Sequence, residues 1–429
     1  MGIAIKNALT VLTDADGTPG AQTVPVYIEG GVIAGIGAEP KGFRAEKTID
    51  GAGKLLVPGL VNAHTHAYMT LFRNQADDLD FDTWLFKRIM PAEDAMTHED
   101  AYWSTMLACM EMLRGGITGF MDMHMFPRTI ARAVLDSGMR AVLSRGLSGG
   151  ESDVEGGKRR LKEALDEINE FSGVSDRLSF RLAPHAVTTC DEAYLRQIGE
   201  TAAELGLGLN THLSEAGGEY ELVRSRYGCT PAELYDRCGL LTGRTLAAHC
   251  VHLSDSDMEL LAGRGVSIAV NHASNLKLAN GIAPVVQFME RGLNLCLGSD
   301  SAASNNSLSI LREMGLVTLL HKGFSGDPCA VTAADAFRMA TVNGARALGF
   351  SDTGEIRAGW KADLALFDID RPELTPLGDA LAALSYSSQG LIADTVLVNG
   401  EIVLEHGEFT AFDADEVLFE MRRRKVRFE

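Results

Sequence analysis

From about residue 58 to residue 353, short β-branched and apolar runs alternate with longer helix-like stretches at a spacing of roughly thirty residues, which leaves few folds open. Strand candidates begin near Leu60, Ile117, Arg140, Leu178, Leu207, Leu246, Val266 and Leu293. About eight βα units predict an α/β chain folded as a closed (β/α)8 barrel of the TIM type, with an open doubly wound sheet as the alternative. The intervening helices carry start and stop signals. Thr97 precedes a run that puts Tyr102, Met106, Cys109, Met110 and Leu113 on one face and stops at Gly115-Gly116, and Asp191 opens another that stops at Gly206. No GxGxxG or GxxxxGK[ST] follows a strand, so dinucleotide and P-loop phosphate binding find no support. The Gly-rich stretch Ser148 to Gly157 reads as a mobile loop.

Both ends have another texture. Ile3 to Leu12, Gln22 to Ile28 and Val32 to Ile36 are short β-like runs broken by turn residues, and the pattern returns in Ala362 to Asp368 and in Asp394 to Val403, where Asn399-Gly400 signals a hairpin. We therefore expect residues 1–57 and 354–429, the latter with a terminal helix, to build one small β-sandwich flanking a barrel of residues 58–353.

In a barrel of this kind reactive groups sit at the C-terminal ends of the strands. His64 and His66, in Pro58 to His66 (PGLVNAHTH), share one face of the first barrel strand and can reach one ion. His212 closes LGLNTHL, His249 ends TLAAH and Asp300 follows LNLCLGS, so these side chains should meet at one mouth. Imidazoles with one carboxylate suit a catalytic zinc or ferrous ion more than a structural site, which recruits cysteines at CxxC spacing. Hydrolysis also needs a group to move a proton, and Glu215, three residues after His212, is placed to do so.

Composition bounds the rest. With 46% hydrophobic and 23% charged residues the chain can bury a large core throughout. A net charge of −19 disfavours a nucleic-acid surface, and the single basic run, Arg422 to Lys425, reads as a solvated helix face. Cys109, Cys190, Cys229, Cys238, Cys250, Cys296 and Cys329 form an odd, scattered set, read as small core residues in a reducing compartment. The first residues lack a basic segment followed by an apolar core, and no apolar run is long enough to span a bilayer. We expect a cytoplasmic protein with no membrane or nucleic-acid partner.

The runs PGLVNAHTH, MTLFRNQADDLDFDTWL, APHAVTTC, THLSEAGGEY, AAHCVHL, ASNLKLANGIAPV and GSDSAASNNSL resemble the amidohydrolase superfamily, in the branch of 5′-methylthioadenosine/S-adenosylhomocysteine deaminases and related chlorohydrolases. The resemblance implies a barrel with a flanking sandwich, a homo-oligomer, and one divalent metal ion per subunit, zinc first with iron or manganese as alternatives. It implies metal binding by His64, His66, His212 and Asp300, proton transfer by Glu215 and His249, and a shuttle role for Asp300. It further places Glu93 on ribose hydroxyls, His185 on a ring nitrogen, Trp84 against a nucleoside and Ser304 near the base.

The implied reaction is hydrolytic deamination of an adenine nucleoside. A clamp for a homocysteine carboxylate would use Arg145 and, in the second position, Lys158, with Arg159 and Arg160 beside it; a lysine there departs from the pattern and leaves the 5′ group open among S-adenosylhomocysteine, 5′-methylthioadenosine, adenosine and 5′-deoxyadenosine. Further departures are VNHASN at Val270 to Asn275, which shifts His272, and Ser301 after the metal aspartate. The alternatives are hydrolysis of another heterocycle (guanine, a pterin or a chlorotriazine) and a non-catalytic barrel kept as a binding or assembly module.

Overall fold

The computed structural model describes residues 2–388 and 390–425. At its centre eight parallel strands run in sequence order: Leu60–Thr65, Ile117–His124, Arg140–Leu147, Leu178–Pro184, Gly208–Leu213, Thr245–His249, Ser267–Val270 and Asn294–Leu297. Each starts at or within one residue of its expected position. The strands are almost wholly buried on both faces, which is why they read as continuous apolar runs. Val61, Ala63, Met121, Val142, Leu246, Ala269 and Cys296 fill the barrel, while Leu60, Ile117, Phe120, Leu143 and Ile268 pack outward among the helices.

The ring closes where the eighth strand meets the first. Thr65 and Asp300 form a parallel bridge, the Asp300 N–H donates to the His64 carbonyl at 2.9 Å, and the Thr65 hydroxyl donates to the Asp300 carbonyl at 2.9 Å. Below them the Asn62 amide donates to the Ser299 hydroxyl at 2.7 Å, and its oxygen accepts from the Ser299 N–H at 2.9 Å.

The helix signals act as expected. Thr97 and Asp100 form a reciprocal capping box on helix His98–Arg114. Asp191 accepts the Tyr194 N–H at 2.9 Å to start helix Glu192–Leu205, which ends on a left-handed Gly206. Three readings need correction. The Gly-rich stretch is a loop only to Asp153: that residue caps helix Val154–Phe171, so Gly156 and Gly157 lie in its first turn. In the basic run Arg424 is buried against Trp103 and pairs with Glu99, Asp100 and Glu420, because helix Ala414–Lys425 packs on helix His98–Arg114; the side chain of Lys425 lies outside the described residues. Cys329 is exposed, while the other six cysteines are buried.

Strands from both ends form two sheets. One runs Val32–Ile36, Val26–Glu29, Gly2–Lys6, Lys47–Asp50; the other joins Lys54–Pro58 and Leu9–Thr13 to Leu364–Asp368, Ala393–Val398 and Glu401–Glu405. Strand alternation divides the second sheet: Leu56 packs with Ile3, Ile5 and Ile28 inside the sandwich, whereas Leu55 and Val57 belong to the barrel's outer core. The hairpin turns at Asn399 and Gly400, both with positive φ (54° and 72°) as a type I′ turn demands. The sandwich strand runs through Pro58 and the barrel begins at Leu60; beyond residue 354, helix Ala380–Tyr386 packs on barrel helices Ile310–Ser325 and Ala333–Ala340.

A buried ion pair ties the two parts. Arg140, at the start of the third barrel strand, donates through Nε and Nη2 to the two oxygens of Asp363 at 2.7 and 3.1 Å, and Asp363 Oδ1 also accepts the Asn399 N–H at 2.6 Å. Both side chains are 3% exposed. Removing one partner strands the other charge in the interior, so Asp363→Ala should cost about 3–5 kcal/mol, read as a lowered urea midpoint and Tm.

Candidate active site

His64 and His66 leave the end of the first barrel strand, His212 the fifth, His249 the sixth, and Asp300 lies just past the eighth. All five are buried and converge. The His66 ring stacks on His212 at 5.4 Å, and His64 stands edge-on to His66, His212 and His249. Asp300 Oδ1 lies 3.6 Å from His64 Nε2 and 3.5 Å from His66 Nε2. His249 and Asp300, with Ser214 and Cys250, have left-handed backbone (φ 73°, 57°, 50° and 50°), which costs non-glycine residues energy and concentrates here at strand ends.

Hydrogen bonding fixes the tautomers. His66 Nδ1 lies 2.8 Å from the Met123 carbonyl and His212 Nδ1 lies 2.8 Å from the His185 carbonyl. Carbonyls only accept, so both Nδ1 atoms carry the proton and both Nε2 atoms present lone pairs. Those Nε2 atoms are 3.3 Å apart. Burial pushes the His212 ring well below the ordinary imidazole pKa, so His212 does not donate across the contact. Two facing lone pairs at this distance fit a shared cation. The fully buried His64, with neither ring nitrogen hydrogen-bonded, fits it too. His64, His66 and His212 form one group whose ligand atoms lie within 4.8 Å of one another; His64, His249 and Asp300 form a second. Asp300 Oδ2 accepts from the Ser274 and Ser304 hydroxyls at 2.6 and 2.7 Å, leaving Oδ1 turned to the histidines.

Glu215 sits just beyond the fifth strand, its side chain 12% exposed. Burial pushes its carboxyl up to about 7, with the Asp300 and Glu219 charges adding and the His249 charge opposing. Oε1 accepts from the Asn280 amide at 3.1 Å, and Oε2 lies 3.7 Å from His249 Nε2. His249 Nδ1 meets Asn275 Oδ1 at 2.8 Å, which directs Nε2 toward Glu215. Burial disfavours the protonated His249 ring, but Glu215 and Asp300 overcome this and raise its pKa. A carboxyl near neutrality beside a ring that can hold a proton is equipped to move protons at physiological pH.

A cavity of about 600 Å³ opens over this group. Trp84 and Glu93 reach it from the segment after the first strand, and His185 from the end of the fourth. Trp84 is buried with an unpartnered indole N–H. Glu93 accepts the Tyr68 hydroxyl, and burial lifts its carboxyl to about 7 against that bond. His185 Nδ1 pairs with Thr189 Oγ1 at 2.9 Å.

Three expected substrate contacts lie elsewhere. Ser304 is buried on Asp300 and does not line the cavity. Lys158 is 62% exposed, paired with Glu155 on the helix surface, since the helix begins before it and turns it to solvent. Arg145 stands behind the cavity wall, bound to Glu163. The helix instead sets Arg160 near Arg145, where it donates to Asp153 and to the Ser148 carbonyl. Tyr68, Ser274, Asn275, Asn280 and Glu219, whose Oε1 accepts the Glu215 and Ala216 N–H groups, were not singled out by sequence. Tyr68 lies between the motifs PGLVNAHTH and MTLFRNQADDLDFDTWL and the other four lie inside THLSEAGGEY and ASNLKLANGIAPV, the only signal that pointed to them. The shifted His272 is buried, with Nε2 3.0 Å from His321 Nε2.

Among the described residues no helix is long and apolar enough to cross a membrane. The sequence profile of the amidohydrolase family matches residues 55–403. A 5-methylthioadenosine/S-adenosylhomocysteine deaminase of Pelotomaculum thermopropionicum is 43% identical over 430 residues, covering 99% of this chain and 98% of its own. Its counterpart from Moorella thermoacetica is 44% identical over 390 residues, covering 90% of each. Among solved structures, an adenosine deaminase of Xanthomonas campestris with bound zinc superposes with a TM-score of 0.93 at 30% identity, over 99% of this chain and 98% of that one. A guanine deaminase of C. acetobutylicum shares the fold, with a TM-score of 0.84 at 21% identity over 94% of this chain and all of that one.

Because its carboxyl is raised from 4.5 to about 7, Glu215 binds its proton more tightly folded than unfolded. Its contribution to stability is full at low pH and is lost as pH rises through 7. Metal-free Glu215→Gln protein should therefore melt above the parent at about pH 8, with the gap closing toward about pH 4, as thermal melts across that range will show.

Proposed function

The chain belongs to the amidohydrolase family, and from that premise we propose that it is a metal-dependent aminohydrolase that converts an adenine nucleoside and water to the hypoxanthine nucleoside and ammonia. The observation that carries the reading is the pairing of a His/Asp cluster, two of whose imidazoles present lone pairs at 3.3 Å, with a buried carboxyl lifted to about 7. The relatives' names support the substrate class.

His64, His66, His212 and Asp300 would hold the ion, and zinc is favoured by the zinc-bound neighbour. When bound, a divalent metal supplies Lewis acidity that brings the ionisation of water near neutrality. Glu215 accepts a proton as the water oxygen adds to C6 of the adenine and passes it to the adjacent ring nitrogen. His249, held by Asn275 and facing Glu215, orients the water and balances the charge on Glu215. The remaining hydroxyl proton goes by way of Asp300 to the exocyclic nitrogen, which leaves as ammonia. The new C6 carbonyl and the protonated ring nitrogen constitute the hypoxanthine.

Recognition falls to the loops. Glu93, fixed by Tyr68, is assigned to the ribose hydroxyls, Trp84 to the nucleoside through its ring and free N–H, and His185 to a ring nitrogen. A reducing cytoplasm fits the free cysteines, and a homo-oligomer completes the reading.

Ammonia release from adenosine, 5′-deoxyadenosine, 5′-methylthioadenosine and S-adenosylhomocysteine, with guanine and a pterin as controls, tests this directly. Activity confined to the controls would overturn it. Glu215→Gln should keep its metal, measured by elemental analysis, while kcat falls about 10²- to 10⁴-fold. Glu93→Ala should lower kcat/KM for nucleosides about 10- to 100-fold, the worth of a charge-assisted hydrogen bond, and leave free adenine little affected.

A further inference from the structure

Six carboxyl groups line the cavity, Asp80, Asp82, Glu93, Glu215, Glu219 and Asp300, and among the described residues no lysine or arginine does. One buried basic group stands a layer back. Arg145, from the third barrel strand, places Nη1 3.4 Å from Met125 Sδ and donates to the Gly146 carbonyl, and both Met125 and Gly146 are cavity wall. Its charge reaches Tyr68 and Glu93, which also line the cavity. The rest of the guanidinium is occupied. Nε and Nη2 donate to Glu163 Oε2 at 3.2 and 3.0 Å, from helix Val154–Phe171. On the same helix Arg160 is engaged by Asp153 and the Ser148 carbonyl, and Lys158 by Glu155.

Resting on the deaminase reading above, we propose that Glu163 is a specificity-determining residue: by occupying Arg145 with an internal carboxylate, it makes the site favour adenine nucleosides with an uncharged 5′ group over those whose 5′ tail ends in a carboxylate. An anionic tail entering this cavity meets several carboxyl groups, and Arg145, behind the wall of Met125 and Gly146, can pair with it only by leaving Glu163. A thioether, methyl or hydroxyl requires no such exchange and rests against Met125 and its apolar neighbours. Glu163 is 37% exposed while Arg145 is 8% exposed, so the displaced carboxylate can reach water and the preference is graded, not absolute. The Gly146 carbonyl holds Arg145 independently of Glu163, so neutralising Glu163 frees the cation without releasing it from the wall.

The test is kcat/KM of the metal-loaded full chain for 5′-methylthioadenosine and S-adenosylhomocysteine, read by ammonia release. The parent should favour 5′-methylthioadenosine, and Glu163→Gln should raise the S-adenosylhomocysteine to 5′-methylthioadenosine ratio about tenfold, the scale of one charge-assisted hydrogen bond. Glu163→Asp, which keeps the charge, should stay near the parental ratio. Adding Arg145→Met to Glu163→Gln should erase the gain, because a double-mutant cycle isolates the pair. A parent that prefers S-adenosylhomocysteine, a ratio unmoved or lowered by Glu163→Gln, or a gain that survives loss of Arg145 would each overturn the proposal. No turnover of any nucleoside by the parent would overturn the deaminase reading and this inference with it, an outcome distinct from all three.

Discussion

The active site exists because the barrel closes. Seven ladders position neighbouring strands, but the seam between the eighth strand and the first is made by Asn62 with Ser299 and by Thr65 with Asp300. That seam brings the carboxylate of residue 300 beside the imidazoles of residues 64 and 66, more than two hundred residues away in sequence. The hydrogen bond from the Asp300 N–H to the His64 carbonyl makes closure and site assembly one event. An open sheet would keep the histidine pair on its first strand and leave Asp300 on the opposite edge.

Closure also buries what it assembles, and burial sets the chemistry. The His64 and His212 rings are pushed toward the neutral form, and Glu215 keeps its proton up to about neutrality. The fold orients these groups with backbone carbonyls and short polar side chains: Met123 and His185 set two tautomers through their carbonyls, Asn275 sets a third ring, and Ser274 with Ser304 occupies one oxygen of Asp300. Left-handed backbone at residues 214, 249, 250 and 300 is the strain this arrangement retains.

Sequence legibility followed the range of the interactions. All eight barrel strands, the capped helices and the Asn-Gly hairpin were readable because periodicity, caps and turns are local. The convergence of His64, His66, His212, His249 and Asp300 was readable because a barrel places every strand end at one mouth. Positions that depend on how a helix is rotated were not. Lys158 and Arg160 are two residues apart on one helix, so they point to different faces, and only the start of that helix at Val154 determines which faces Arg145. Ser304 was assigned to the base from its motif, yet its hydroxyl is spent on Asp300. Tyr68, Asn275 and Asn280 are polar residues in loops and short helical turns, where nothing periodic marks them and only the fold shows which group they hold.

This division has a consequence for how such a site can change. The groups that would hold metal and move protons sit at strand ends locked by the barrel's own ladders, whereas Trp84, Glu93, His185 and Glu163, the partner of Arg145, come from segments between strands or from a helix face. Substituting a loop residue alters what fits in the cavity without breaking a ladder, while moving a strand end disturbs the seam and the burial that tunes Glu215. Substrate preference is therefore free to drift while the hydrolytic centre stays fixed. The identity of the heterocycle and of its 5′ group should accordingly be sought in those segments, and the reaction type in the strand ends.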